Sequence, residues 1–516
     1  MHADLSRATF RPERHYSAVL AQQGRVQMDA DLNEQTAIQL HHARTLAADL
    51  VGRHGGPASD CGFRIEYVGG KHDTDTLYIH GGRYYVDGIL CDADRPSPGV
   101  PVPDEDTEEQ QPAGADAFWD YWNQPDGFRD PERPGDRLPS PARSPFLVYL
   151  LVWERAVSAA EDPALREVAL GAALPDTAAR AKVVWQVLPL PLSALDIEDA
   201  EPSPGAVRDA FEKWAEAQAA PSARLAARSE RPEHADEDPC LVRPDARYRG
   251  PENQLYRVEI HAGGEAADAT FKWSRENGSV VFPVDELEGT WVRLATLGLD
   301  SKLDLEVGDH VEFTDTAYAS RLEALPLLRV EELDLPGCRV RLSAEPDPRV
   351  GRLPHLHPFL RRWDHREGPR RKGRTNALKG GAVPLAEGEW LPLEDGVEVY
   401  FAKNGSYRTG DHWLIPARTA TGGVEWDTDA ARRPLLKPPA GIVRHVAPLA
   451  LVTGEGSTAD LRRAFGALAA DIPPADRAAL DAEARAAQEE RAAEAGPAES
   501  RSQTTAAAEA AAEGDE

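Results

Sequence analysis

The side chains best suited to do chemistry lie in a short run, His355-Leu356-His357, followed by Asp364-His365. On an extended chain, residues i and i+2 point the same way. His355 and His357 would then present two imidazoles together, and a later carboxylate or imidazole could complete a tetrahedral site. Against this stand Pro354, Pro358, Arg361 and Arg362. Prolines and arginines read as a solvated loop, and added positive charge disfavours a cation. The expectation is no metal, with His355, His357, Asp364 and His365 the residues that would hold one. His41 and His42 are neighbours on a helical stretch and face different directions.

Covalent and hydrolytic chemistry has no better foothold. A nucleophile needs a base and an orienting group, and neither Ser274 nor Ser406 sits in a G-x-S-x-G elbow. Glycoside cleavage needs two carboxylates across a cleft, but among 87 acidic residues any pair can be nominated. No Walker loop, dinucleotide fingerprint or H-E-x-x-H occurs, and Gly454-Glu455-Gly456 is an isolated glycine pair. The expectation is a chain with no catalytic residue and no cofactor. Phe118-Trp119-Asp120-Tyr121-Trp122 could stack on sugar rings, yet such aromatics more readily pin a polar loop to a core. Trp153-Glu154-Arg155 and Trp273-Ser274-Arg275 set tryptophan beside arginine, as interface hot spots do; the favoured reading is a core tryptophan beside an ion pair.

Recognition of another protein fits the run from Arg14 to Gln35 better than any of these. It is amide-rich, too polar for a buried strand and too short of apolar residues for a signal peptide. It reads as a surface arm leading into a helix, with Asp31 or Asn33 as the cap and Glu34 where the helix dipole favours a carboxylate. The helix carries Ile38, Leu40, Leu46 and Leu50 and stops at Gly52 and Gly55-Gly56. Tyr16, Gln22, Gln23, Arg25, Asp29, Asp31, Asn33 and Glu34 are the predicted contacts with another chain.

The wording from Phe10 to Glu34, F-x-P-x-x-H-Y-S-x-V-x-x-Q-Q-G-R-V-Q-x-D-A-D-x-N-E, resembles the opening of a poorly characterised family encoded beside phage-tail-like genes, among them baseplate proteins of contractile injection systems. The resemblance continues through Val148–Arg155, Glu161–Leu170, Val183–Val187, Glu252–His261 and Thr270–Val280, and reaches about Phe465. It implies a structural component of such a particle, baseplate-associated or in a tail fibre, acting through protein–protein contacts. Its partners would be other baseplate or tail subunits, with a homo-oligomer also expected. A reading from a different class is a carbohydrate-binding or carbohydrate-cleaving surface protein with a cell-surface glycan as partner. A third is a free-standing binding module.

A net charge of −29 argues against nucleic acid, because phosphate recognition needs clustered Lys and Arg. Part of that charge lies from Asp476 onward, where there are eleven acidic residues and four basic ones. Cys61, Cys91, Cys240 and Cys338 show no paired spacing and are expected as small buried side chains. No run approaches the ~18 apolar residues of a membrane span. The expectation is cytoplasmic synthesis and incorporation into a particle, with no membrane insertion.

Short period-two strands separated by glycine turns recur through the chain, so the expected fold is mainly β with α insertions (α+β), in several domains. The arm and docking helix occupy 1–56, and a β-rich module with a Pro/acidic loop at 95–145 fills 57–195. Within it, Phe146–Trp153 and Lys182–Leu190 read as strands buried on both faces, and Ala164–Leu174 as a short helix. A helical insertion follows at 196–245, built on Val207–Ala219. A β-barrel or sandwich spans 246–345, where Leu255–His261 alternates as if one face met water. A basic loop at 346–380 and a second β-region at 381–465 come next. The Ala/Glu-rich tail, 466–516, lacks core-forming residues and is expected to be a solitary helix or disordered.

Overall fold

The apolar runs predicted as doubly buried strands form Phe146–Val157 and Arg180–Pro191, an antiparallel pair in unbroken register. The chain returns much later to add His445–Gly454 and Ser457–Asp460 along the free edge. A second sheet of His54–Pro57, Arg83–Val86, Ile89–Asp92 and Ala464–Phe465 shares the same core, filled by Phe63, Tyr84, Phe146 and Trp185. The computed structural model describes residues 1–69, 75–95, 118–141, 144–171, 174–197, 199, 202–219, 222–229, 248–298, 302–367, 377–454, 457–467 and 485–486. Cys240, much of the Pro/acidic loop, part of the basic loop and nearly all of the predicted tail lie outside the described residues. Residues 1–465 form one compact unit and 466–516 a second.

The fold is mainly β with α insertions. Helix α1 spans Asp29–Val51 and α2 spans Pro204–Ala219, where Val207, Phe211 and Ala215 follow the helical repeat onto Leu147, Leu451 and Leu461. The helix expected at 164–174 is instead two single 3-10 turns, Pro163–Leu165 and Val168–Leu170. Asp162 and Glu167 each accept the N–H two residues ahead. That local bond competes with a continuing helix, and the span between Pro163 and Pro175 is too short to recover the cost of nucleation.

A five-stranded sheet is centred on β1 (Gln254–Ala262), with β2 (Thr270–Ser274) on one side and His412–Arg418 on the other. A closed six-stranded barrel follows, from β3 (Val281–Glu288), β4 (Trp291–Leu294), β5 (His310–Thr314), β6 (Leu328–Asp334), β7 (Arg339–Leu342) and β8 (Phe359–Trp363). The strand β8 closes the barrel between β3 and β5. It lies inside the segment read as a solvated basic loop, and Arg361 and Arg362 are buried in it. The reading of β1 is also corrected. Its polar face does not meet water: Gln254 through His261 are all buried, and the barrel together with Met1 and His2 packs against the charged residues of that face.

Helix α1 lies against the first layer. Arg44 forks onto Glu154 at 2.8 and 2.7 Å, and the backbone of Arg44 rests on the Asp87-Gly88 turn. Gly88 has φ +77°, and a Cβ there would run into the Arg44 carbonyl. Strain and steric overlap together cost about 2 kcal/mol or more. Gly88→Ala is therefore expected to lower the thermal midpoint and to expose α1 to protease; an unchanged midpoint and digestion pattern would contradict this seating.

Candidate functional site

The N-terminal 50 residues divide into three parts. Residues 1–11 are held by the body. His2 Nε2 lies 2.8 Å from Glu259 Oε2, Asn277 Nδ2 donates to the Met1 and Ala3 carbonyls, and Arg418 donates to the Ser6 carbonyl. Arg7 pairs with Glu425, and Arg11 with Asp427. Ser6 and Thr9 bind Asp29 and Glu34 of α1, and the Phe10 ring lies 5.6 Å from that of His41. This segment runs beneath the helix.

Residues 15–28 behave differently. After a 3-10 turn at Pro12–Arg14 residues 15–28 form no helix or strand, with a turn at Gln23-Gly24, and every residue but Val19 is exposed. Among the described residues its hydrogen bonds are few: Val19 N–H donates to Gln35 Oε1 of α1, and within the segment a turn at Gly24 ties Arg25 N–H to the Gln22 carbonyl. Leu20 is 82% exposed and Val26 88%. Bare aliphatic side chains on a segment with so few bonds are unusual for a chain packed only against itself.

Helix α1 begins at Asp29, so both predicted caps, Asp31 and Asn33, lie inside it, and the Asp31 carboxylate accepts the Met28 N–H at its start. Of its apolar residues Ile38 is buried, while Leu32, Leu40, Leu46 and Leu50 are exposed. Among the eight predicted contact residues, Asp29 and Glu34 hold Ser6 and Thr9 in the same chain, and Asp31 caps α1. Tyr16, Gln22, Gln23, Arg25 and Asn33 make no side-chain hydrogen bond or ion pair within the described residues.

The four residues weighed as metal ligands are not brought together. His355 and His357 lie before β8, Asp364 and His365 beyond its other end. Asp364 accepts the Arg275 N–H and pairs with Arg362, and His365 Nε2 binds the Gly381 carbonyl. His357 lines an open cleft of about 570 Å³ with Arg166, Asp285, Glu286 and Arg352. Glu286 is paired with Arg293 and Arg352 with Glu345, so the cleft's charges do not converge on one point. Among the described residues no three His, Cys, Asp or Glu side chains are placed to share an ion.

The aromatic run is anchored to the fold. Tyr121 is buried, Trp122 Nε1 donates to the Asp75 carbonyl, Arg95 covers Trp119, and Phe118 lies against His80. In the two Trp–Arg triplets, Trp153 and Trp273 are core residues, Arg155 pairs with Glu161, and Arg275 forks onto Glu394.

Sequence reasoning missed the charged junction between the five-stranded sheet and the barrel. Glu259 on β1 stands opposite Lys272 on β2 and takes Arg257 Nε at 2.6 Å. Lys272 reaches Glu312 on β5 at 3.1 Å and lies over the Trp363 ring, whose N–H also donates to Glu312. Arg361 is buried alongside and donates to the Gly278 carbonyl. Burial alone would raise the Glu259 pKa, but Arg257, His2 and Lys272 hold it well below the carboxylate range. Burial drives the surrounding imidazoles the other way: His261 falls to about 4 and His365 to about 3, and His2 and His412 fall well below their ordinary value. The available signal was opposite charges at i and i+2 in Arg257-Val258-Glu259, inside a strand otherwise rich in large apolar residues.

Sequence comparison now gives the chain a place. A family of unknown function, DUF6519, matches residues 1–231 and 215–515. The chain belongs to that family. Neither a curated protein nor a solved structure matches it. Within this DUF6519 chain, the arm and the outer side of α1 are among the described segments that expose large apolar side chains.

The buried imidazoles set an acid limit. Each is neutral when folded and takes a proton near pH 6.5 when unfolded. Between about 6.5 and 4 the unfolded chain therefore binds more protons, and stability falls with pH. Glu259 acts in the same direction at lower pH, its contribution being lost as pH falls through its depressed folded value. Thermal midpoints should be level from pH 8 to 7 and fall steadily from pH 6.5 to 4; a midpoint unchanged at pH 4.5 would contradict the buried neutral assignment.

Proposed function

We propose that this chain is a structural component of a phage-tail-like contractile injection particle, placed at the baseplate or in a fibre, and that it acts through protein–protein contacts. The observation that carries the reading is the split at its N-terminus. Residues 1–11 are fixed to their own body, whereas 15–28 extend across solvent with Tyr16, Leu20 and Val26 bare. A segment anchored at both ends, by the charged junction and by α1, can be offered to a neighbour without the full ordering cost of a free tail. The family likeness of the Phe10–Glu34 wording and the weak convergence of the His357 cleft support the same reading.

Leu20 and Val26 touch so little of their own chain that charging both leaves the fold within about 0.5 kcal/mol of wild type. Leu20→Asp with Val26→Asp is therefore expected to give a normally folded protein whose recovery in sedimented particles drops at least about tenfold, the equivalent of a lost 1.4 kcal/mol contact. Normal incorporation of the variant would refute docking by the arm. Absence of the wild-type chain from any sedimenting particle would refute the particle assignment.

A further inference from the structure

A three-stranded sheet packed on the first core carries an outer face that the proposed role leaves unused. Its strands are Ile65–Val68, Thr76–Ile79 and Trp119–Asp120, antiparallel, with Glu66 opposite Tyr78 and Tyr78 opposite Asp120. Side chains alternate across a strand, so Ile65, Tyr67, Leu77 and Ile79 fill the core while Glu66, Tyr78 and Asp120 face out. One row further along the same side, the His80 N–H donates to the Arg64 carbonyl and Phe118 lies beside His80. The Arg64 guanidinium is 3.1 Å from His80 Nε2, and the His80 and Phe118 rings are 4.2 Å apart. Tyr78 is 39% exposed and Phe118 37%. The third strand is firmly seated: Arg95 lies over Trp119 and donates to the Phe118 carbonyl, and the Asp120 carboxylate takes the Trp122 and Asn123 N–H groups.

What this face could hold follows from the ends of its side chains. In the two rows Arg64–His80–Phe118 and Glu66–Tyr78–Asp120, every side chain ends in a planar group and none is aliphatic. Protein interfaces are depleted of Asp and Glu at their centres, whereas here Glu66 and Asp120 stand on either side of Tyr78. A sugar ring has a C–H face that packs on an aromatic ring, and a rim of hydroxyls that carboxylate and guanidinium groups can bind two at a time. Within the described residues Arg64 makes no ion pair, and Glu66 reaches only His80, at 3.6 Å. Burial, and after it the Arg64 charge, lower the His80 pKa, so that ring is neutral at neutral pH. Arg64 is balanced by Glu66 across His80, so its charge does not by itself select an anionic polymer. With strands about 4.8 Å apart and a rise of about 3.3 Å per residue, the two rows cover about 10 Å by 7 Å, room for about one or two sugar rings. We propose that this face binds a neutral glycan, with the Tyr78 and Phe118 rings against the sugar and Arg64 and Glu66 on its hydroxyls. The inference rests on the sheet, and it stands or falls separately from docking by the arm.

The test is retardation of the full-length protein in native gels cast with dextran, mannan or mixed-linkage β-glucan, with polygalacturonate as the acidic comparison. Wild type should be slowed by at least one neutral polymer and released by the matching free oligosaccharide. Tyr78→Ala with Phe118→Ala should weaken that binding at least about tenfold, the loss of two stacked rings, with an unchanged circular dichroism spectrum. Arg64→Ala with Glu66→Ala leaves the rings in place and should weaken it as well. Leu335→Ala, an exposed apolar position on the barrel, should bind as wild type. Free migration of wild type in every neutral polymer, slowing by polygalacturonate alone, or undiminished binding by either double variant would each overturn the proposal. Loss of the Tyr78→Ala, Phe118→Ala protein from sedimented particles, with no glycan bound by wild type, would overturn it too and assign the face to a protein neighbour. A wild type that binds glycan but enters no particle would support the face and refute only the particle reading.

Discussion

The junction between the five-stranded sheet and the barrel is arranged around charge that cannot reach water. The sheet and the barrel meet through Arg257, Glu259, Lys272, Glu312 and Arg361, and their contact is polar where most module contacts are oily. Taking such groups out of water is costly, and pairing offsets that cost only when the geometry is close and the remaining donors find acceptors. Here they do. Arg257 and Lys272 share Glu259, Lys272 also takes Glu312, and Arg361 turns to a backbone carbonyl. Three cations against two carboxylates leave an excess of positive field, which together with burial keeps His2, His261, His365 and His412 neutral. Loss of one partner would strand the others, so the junction specifies one relative placement of β1, β2, β5 and β8.

That placement reaches the N-terminus. His2 closes the Glu259 site, Asn277 holds the backbone on either side of it, and the next residues are guided along Arg418, Glu425 and Asp427. From there Ser6, Thr9 and Phe10 fix the underside of α1, while Glu154 and the Gly88 turn fix its far half. With both ends of the segment anchored, the intervening residues 15–28 are presented outward, together with the leucine face of the helix.

The β-rich class was legible because its signals are local. Phe146–Val157 and Arg180–Pro191 are long apolar runs, and the glycine turns of the barrel follow from φ values that only short sequences need to encode. The exposure of residues 15–28 was legible for the same reason, since an amide-rich stretch ahead of an acidic helix start is a local pattern. The charged junction was not. Arg257, Glu259, Lys272, Glu312 and Arg361 are spread over a hundred residues, and each looks like a solvated residue until the strands are paired. The same cause led Arg361 and Arg362 to be read as loop: burial of arginine depends on acceptors, Gly278 and the Lys302 and Asp304 carbonyls, that only the closed barrel supplies. The seating of residues 1–11 depends on those strands in turn, so it was equally hidden.

The central claim is that this junction holds residues 1–11 in place and thereby leaves 15–28 to a partner. Limited trypsin digestion of the isolated full-length protein, followed by mass spectrometry, tests it directly. The account predicts that Arg25 and Arg14, in or beside the exposed arm, are cut before Arg7, that the cleaved N-terminal peptide stays bound to the body, and that Arg25 becomes resistant in the assembled particle. Early cleavage at Arg7, release of the peptide on cutting, or an Arg25 already resistant in the isolated chain would contradict it.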